Sequence, residues 1–354
     1  MDDEIRARWL ACKDSFLGNG LGRPAELLAA IDPATVPDVY GAGGVVADLE
    51  TQIADVLGKP AAVFLPSGTM AQGVALRVHA ERRGRATVLW HPYCHLEQHE
   101  GQAFARLHAL IGRPVGGLES LLSLDALQEV AESPAAVLWE LPQRDLGGQL
   151  PAWDDLVAQT SWARDRGAAT HLDGARLWEA TAGYERTPAE ISALFDTVYV
   201  SFYKGVGALP GCCVAGSRQD IAQIREWRQR MGGTLFAMWP NAASALRNFP
   251  AALAEMPARF EHAKAIARAL ADVPGVRVVP DPPQTPMLHL LLPVTAERYK
   301  QNARRLAEED GLWVWPSGSA TGDPAMLRFE LTAGSATLRH SPESIAAVIA
   351  RLLE

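Results

Sequence analysis

Five short apolar runs, at residues 61–65, 87–90, 135–139, 168–172 and 197–202, alternate with helical stretches and constrain this chain more than any other feature. A sixth run follows at 212–215. Runs this short that lack a polar face suit strands covered on both sides, and their alternation with helices such as those from Gly68 onward and over 156–166 predicts an α/β domain with a largely parallel sheet. Past about residue 245 the pattern changes. A long helix over 251–270 is expected there, then strands at 276–279, 288–292 and 327–331, with helices at 296–309 and 344–353. The expected division is a large domain over 1–245, including the N-terminal segment, and a smaller α+β domain over 246–354. A chain of 354 residues, 48% of them hydrophobic, can bury two cores of that size.

Charge and punctuation exclude several classes of function. A formal net charge of −8 speaks against a nucleic-acid partner, which would call for clustered positive charge. No apolar stretch approaches the ~20 residues of a membrane span. The opening Met1-Asp2-Asp3-Glu4 is the opposite of a signal peptide's basic region, so a cytoplasmic protein is expected. Cys12, Cys94 and the adjacent pair Cys212-Cys213 form no disulfide framework and suit buried thiols.

Ligands of doubly wound sheets collect at the carboxyl ends of the strands, and four strand ends here carry reactive residues. After the first come Ser67, Gly68 and Thr69, where a helix begins. Its free N–H groups and positive dipole end suit a phosphate, although Ser-Gly-Thr is also an ordinary cap. After the strand at 168–172 comes Asp173-Gly174-Ala175-Arg176. The aspartate either caps a helix or holds a cofactor cation such as a protonated pyridine nitrogen, and Arg176 could grip a carboxylate through two parallel hydrogen bonds. After 197–202 comes Lys204, followed by Gly205-Val206-Gly207. Of the five lysines (Lys13, Lys59, Lys204, Lys264 and Lys300), only this one follows directly on an apolar strand and leads into a glycine-rich loop. Partial burial there would lower its pKa and make it a Schiff-base nucleophile. The fourth end holds His95 and His99 around Glu97. The glutamate is misplaced for the zinc-protease pattern, so no metal site is expected. The glycines at 205–211 have the wrong spacing for a dinucleotide loop, and Pro210 would break the helix such a loop needs.

Together these segments resemble the threonine aldolase and β-eliminating lyase family of pyridoxal-phosphate (PLP) enzymes. The likeness runs through FLPSGTMAQGVAL, CHLEQHEG, HLDGARLWEA, VSFYKGVGALPG and MLRFELT, over roughly residues 15 to 350. It implies the aspartate-aminotransferase-like fold, with a mostly parallel seven-stranded sheet in the large domain. It also implies PLP as cofactor, with Ser67, Gly68 and Thr69 near the phosphate and His95 stacked on the ring. Asp173 would face the ring nitrogen, Lys204 would carry the Schiff base, and Arg176 and Arg328 would bind the substrate carboxylate. A homodimer or homotetramer is implied as well.

Two departures put the substrate in question. Where many members have Glu-Asn-Thr-His, with the histidine near the substrate hydroxyl, this chain has Glu140-Leu141-Pro142-Gln143, which makes Gln143 the candidate contact. Where many have Gly-Gly-Gly-Met-Arg-Gln, it has Gly232-Gly233-Thr234-Leu235-Phe236, leaving Arg230 as the nearby positive charge. The expected reaction is cleavage of the Cα–Cβ bond of a β-hydroxy amino acid, L-threonine or L-allo-threonine giving glycine and acetaldehyde. Another PLP reaction on the same scaffold, β-elimination or transamination, is the alternative.

Overall fold

The computed structural model describes residues 3–29 and 31–354. The chain divides into two compact units. One holds residues 27–145 and 150–250; the other holds the residues up to Glu26, residues 146–149 and residues 251–354. The short β1 (Asp14–Ser15) belongs to this second unit, so the amino-terminal segment groups with the carboxyl-terminal part of the chain.

The larger unit is built on seven strands: β2 (Ala61–Leu65), β3 (Thr87–Trp90), β4 (Ile111–Pro114), β5 (Ala136–Glu140), β6 (Ala169–Gly174), β7 (Thr197–Ser201) and β8 (Cys212–Gly216). They lie in the order β2-β8-β7-β6-β5-β3-β4. Strands β4, β3, β5, β6 and β7 are parallel neighbours, while β8 runs antiparallel to both β7 and β2. Connection length explains the exception. Only residues 202–211 separate β7 from β8, and a parallel crossover takes about a dozen residues or more. The glycine loop therefore returns the chain as a reversal. It also leaves Lys204 at the end of the sheet where the parallel strands finish.

The helix Gly68–Arg83 covers one face of this sheet. Ser67 caps it, its hydroxyl accepting from Met70 N at 3.4 Å, and Gly84 closes it in the left-handed region at φ 62°. Ala71, Val74, Ala75 and Val78 recur at helical spacing and pack on Val63, Leu65, Tyr199 and Val214. Both alanines are small enough to bring the helix close to the strands, which fixes where its first turn points.

In the smaller unit β9 (Arg277–Val279), β10 (Met287–Leu292), β11 (Leu312–Trp313), β12 (Ser319–Ala320) and β13 (Leu327–Thr332) follow. An antiparallel sheet runs β12-β13-β10-β9, and β1 pairs with β11 in parallel. Its core gathers Phe16, Leu288, Leu290, Phe329, Ile345 and Ile349. A helix over Trp239–Leu270 runs from one unit into the other. It starts twelve residues before the expected 251, because Pro250 reads as a stop signal yet sits inside the helix.

Candidate active site

Three strand ends and one helix start meet at a cavity of the larger unit. Ser67, Gly68 and Thr69 from the turn after β2, Asp173 at the end of β6, and Lys204 just past β7 all line it. His95, Glu100, Gln72, Tyr199 and Tyr203 complete most of the wall. The space is about 550 Å³ and includes open solvent, within the roughly 300–1,000 Å³ usual for small-molecule sites.

Lys204 is largely buried, and that burial lowers the pKa of its amine. The Arg176 guanidinium lowers it further, while Asp173 and Glu140 pull the other way. A lysine in this setting holds a larger neutral, nucleophilic fraction at neutral pH than one in water. Asp173 is buried at the end of the neighbouring strand, one carboxylate oxygen accepting from Ala175 N at 3.0 Å. Gly68 is a close approach. A Cβ there would collide with the Tyr199 hydroxyl, so the glycine keeps both the first helical turn and that phenol in place. Burial raises the pKa of both the Tyr199 and Tyr203 phenols.

The remaining candidates are more dispersed. His95 lines the cavity, and its Nδ1 lies 3.0 Å from Glu100 Oε1. His99, one turn on, lies 3.4 Å from Asp145 Oδ2, so the two histidines face different carboxylates. Arg176 stands at the N-terminal boundary of the helix Leu177–Tyr184, near enough to Lys204 to act on its charge. Gln143 borders a neighbouring cavity with Glu140, Cys94 and His91, and is not among the side chains lining the first. Its amide nitrogen donates to Glu140 Oε2 at 3.1 Å and to the Tyr93 carbonyl at 3.4 Å. Arg328 lies in the other compact unit, on β13 opposite Leu291 of β10. Arg230 is exposed, paired with Glu226 at 3.0 Å and packed over Trp227.

Besides Glu100, which pairs with His95, sequence reasoning passed over four groups here. Tyr199 and Tyr203 carry no motif, but Tyr199 alternates with Ser201 on a strand whose end is reactive, and Tyr203 adjoins Lys204. Gln72 stands one helical turn after Thr69, the spacing that brings a side chain back over the helix start. Glu140 is the fourth. Burial and the Asp173 charge push its carboxyl up to about 8, and no residue spacing predicts that.

The fold and a strand-end cavity holding a depressed lysine and a buried aspartate define a PLP-dependent enzyme of the α/β class. A family model described as beta-eliminating lyase matches residues 29–292, and the chain belongs to that family. The crystal structure of a Listeria monocytogenes protein assigned as an L-allo-threonine aldolase superposes with a TM-score of 0.91 at 35% identity, covering 99% of this chain and 98% of that one. An aldolase of Penicillium aethiopicum is 32% identical over 226 residues, 62% of this chain and 58% of its own length. The low specificity L-threonine aldolase of Escherichia coli K12 is 31% identical over 219 residues, 60% and 65% of the two chains. The matched stretch thus spans less than two thirds of either curated relative.

The donor set fits the family's cofactor. A helix start with unpaired N–H groups suits a phosphate, a buried carboxylate suits a protonated ring nitrogen, and a partly neutral amine suits an aldehyde.

Proposed function

We propose that this protein is a PLP-dependent carbon–carbon lyase that cleaves β-hydroxy amino acids between Cα and Cβ, L-threonine or L-allo-threonine giving glycine and acetaldehyde. The observation that carries the reading is the meeting of Lys204, Asp173 and the turn Ser67-Gly68-Thr69 at one cavity. The similarity to aldolases supports the choice of reaction.

When bound, the cofactor supplies the sink for the electron pair released by the breaking bond. Lys204, its amine shifted toward the neutral form, would attack the cofactor's aldehyde, and the first-turn N–H groups at Gly68 and Thr69 would hold its phosphate. Asp173 would keep a proton on the ring nitrogen. His95 would pack on the ring and, with Glu100 on its Nδ1, would have Nε2 left to accept a proton directly or through a water. Arg176 binds the substrate's carboxylate. Arg328 is assigned a second carboxylate contact on family resemblance alone.

Incubating the protein with a panel of β-hydroxy amino acids and identifying the products tests this reading. Glycine plus an aldehyde is expected; an oxo acid, from elimination or transamination, would refute the aldolase assignment in favour of the same scaffold's other reactions.

Gln143→Ala is expected to lower kcat/KM for threonine roughly ten- to a hundredfold while glycine, which lacks the hydroxyl, still binds normally. Equal losses for threonine turnover and glycine binding would assign Gln143 to holding Glu140 instead, the contact its amide nitrogen makes.

The protein is also proposed to be a cytoplasmic homodimer or homotetramer. Leu235 and Phe236 are exposed, Phe236 by 66%, and Phe236 packs edge-on against the exposed Tyr40 with ring centroids 5.3 Å apart. An aromatic patch of this kind suits burial against a second copy. Sedimentation at micromolar concentration should give a dimer or larger; a fully active monomer would contradict it. Among the described residues no helix is long and apolar enough to cross a membrane.

A further inference from the structure

Behind the cavity wall, four buried side chains form one continuous line of hydrogen bonds. Gln72 and His79 stand seven residues apart on one face of the helix Gly68–Arg83. His171 lies on β6, two residues before Asp173 and on the same face of the strand. Thr197 opens β7 and is the register partner of His171. Gln72 Oε1 is 2.7 Å from His171 Nε2, His171 Nδ1 is 2.7 Å from Thr197 Oγ1, and Thr197 Oγ1 is 2.7 Å from His79 Nε2. Burial lowers both imidazoles, His79 to about 4 and His171 to about 3, so both are neutral at physiological pH.

The direction of this line follows from which atoms can donate. An amide oxygen only accepts, so His171 must carry its proton on Nε2. A neutral imidazole then has a bare Nδ1, and the Thr197 hydroxyl donates to it. The threonine oxygen in turn accepts from His79 Nε2–H, which leaves His79 Nδ1 bare. That nitrogen is buried and has no hydrogen-bond partner among the described residues. A bare buried acceptor costs less than a stranded buried N–H, so the far end of the line independently supports the direction set at the near end. With its oxygen committed to His171, Gln72 has its two N–H donors left, and Gln72 lines the cavity.

We propose that this line is a positioning device for the cofactor: it fixes Gln72 as an N–H donor to the bound PLP and sets the helix start at Ser67-Gly68-Thr69 against the strand carrying Asp173. Gln72 would touch the cofactor, while His171, Thr197 and His79 act through it. The role rests on the PLP reading above, but the proton positions do not depend on it.

Nitrogen NMR of the histidine side chains in the full-length protein should show His79 and His171 both protonated at Nε2 only. Gln72→Met should weaken PLP binding about tenfold, the loss expected for one positioned hydrogen bond. Thr197→Val, which leaves every cavity-lining residue in place, should mix the His171 tautomers and weaken PLP binding a fewfold; a merely structural threonine would lower Tm without moving the tautomers. A proton on Nδ1 of either histidine in the wild-type protein overturns the proposal, even where a variant fails to fold. So does Gln72→Met protein that binds PLP as tightly as wild type. Wild-type protein with the expected tautomers that takes up no PLP would overturn the cofactor reading and the role assigned to Gln72 with it.

Discussion

Lys204→Ala is expected to reduce turnover below detection while the protein still folds. The chain offers no substitute. Lys59 donates to the Phe195 carbonyl, Lys264 pairs with Glu261, Lys300 pairs with Glu4, and Lys13 belongs to the other compact unit. None of them lines the cavity that holds Asp173. Burial disfavours the charged form of Lys204, so its removal also relieves a desolvation cost. Removing it should therefore shift Tm by no more than a few degrees. Lys204→Arg makes the sharper comparison, because it keeps a positive charge near Asp173 and Glu140 but offers no amine that can attack an aldehyde. Borohydride should fix PLP on the wild-type protein and on neither variant. Wild-type turnover, or borohydride-fixed PLP, in Lys204→Ala protein would show that the site lies elsewhere.

The elements that carry this site were legible where burial leaves a simple pattern. Strands β2, β3, β5, β6 and β7 are covered on both faces, so they appear in the sequence as short, mostly apolar runs, broken in β6 and β7 by the buried Thr170, His171, Thr197 and Ser201, and the reactive residues follow at their ends. Strand β4 did not stand out. It is a partly exposed edge strand, Ile111-Gly112-Arg113-Pro114, with no apolar run, and its proline is tolerated only because it lies at an edge. The sequence reading places the amino-terminal segment in the large domain; in the structure two residues of parallel pairing between β1 and β11 lie in the smaller unit, and no local pattern signals a contact that distant. Within the site, Lys204, Asp173 and the turn Ser67-Gly68-Thr69 stand out because each follows a strand end. Gln72, His171 and Thr197 do not, because their meaning lies in a line that crosses a helix and two strands. Glu140 was passed over for a different reason: its raised pKa arises from burial beside Asp173, its register partner on the next strand.

That pairing makes Asp173→Asn the most informative single-atom change. Asparagine keeps the shape and can still accept from Ala175 N, so the strand end should hold its geometry. It removes the negative charge, and a neutral amide cannot keep a proton on a ring nitrogen. The cofactor would remain held by Lys204 and the helix start, but as a poorer sink for electrons. We expect kcat for threonine to fall on the order of 10²–10³-fold, the scale for losing one preorganised charge at a reacting centre. Two neighbours should respond in directions the geometry fixes. Asp173 raises the pKa of Lys204, so without it the amine titrates lower still. Asp173 also raises the pKa of Glu140, so without it that carboxyl moves back down from about 8 and ionises earlier as pH rises. Asp173→Glu, which restores the charge at a slightly different reach, should recover part of the rate. The measurement is kcat against pH for the three proteins, each matched for bound PLP. Asp173→Asn protein that turns over at the wild-type rate with a full complement of cofactor would remove Asp173 from the site.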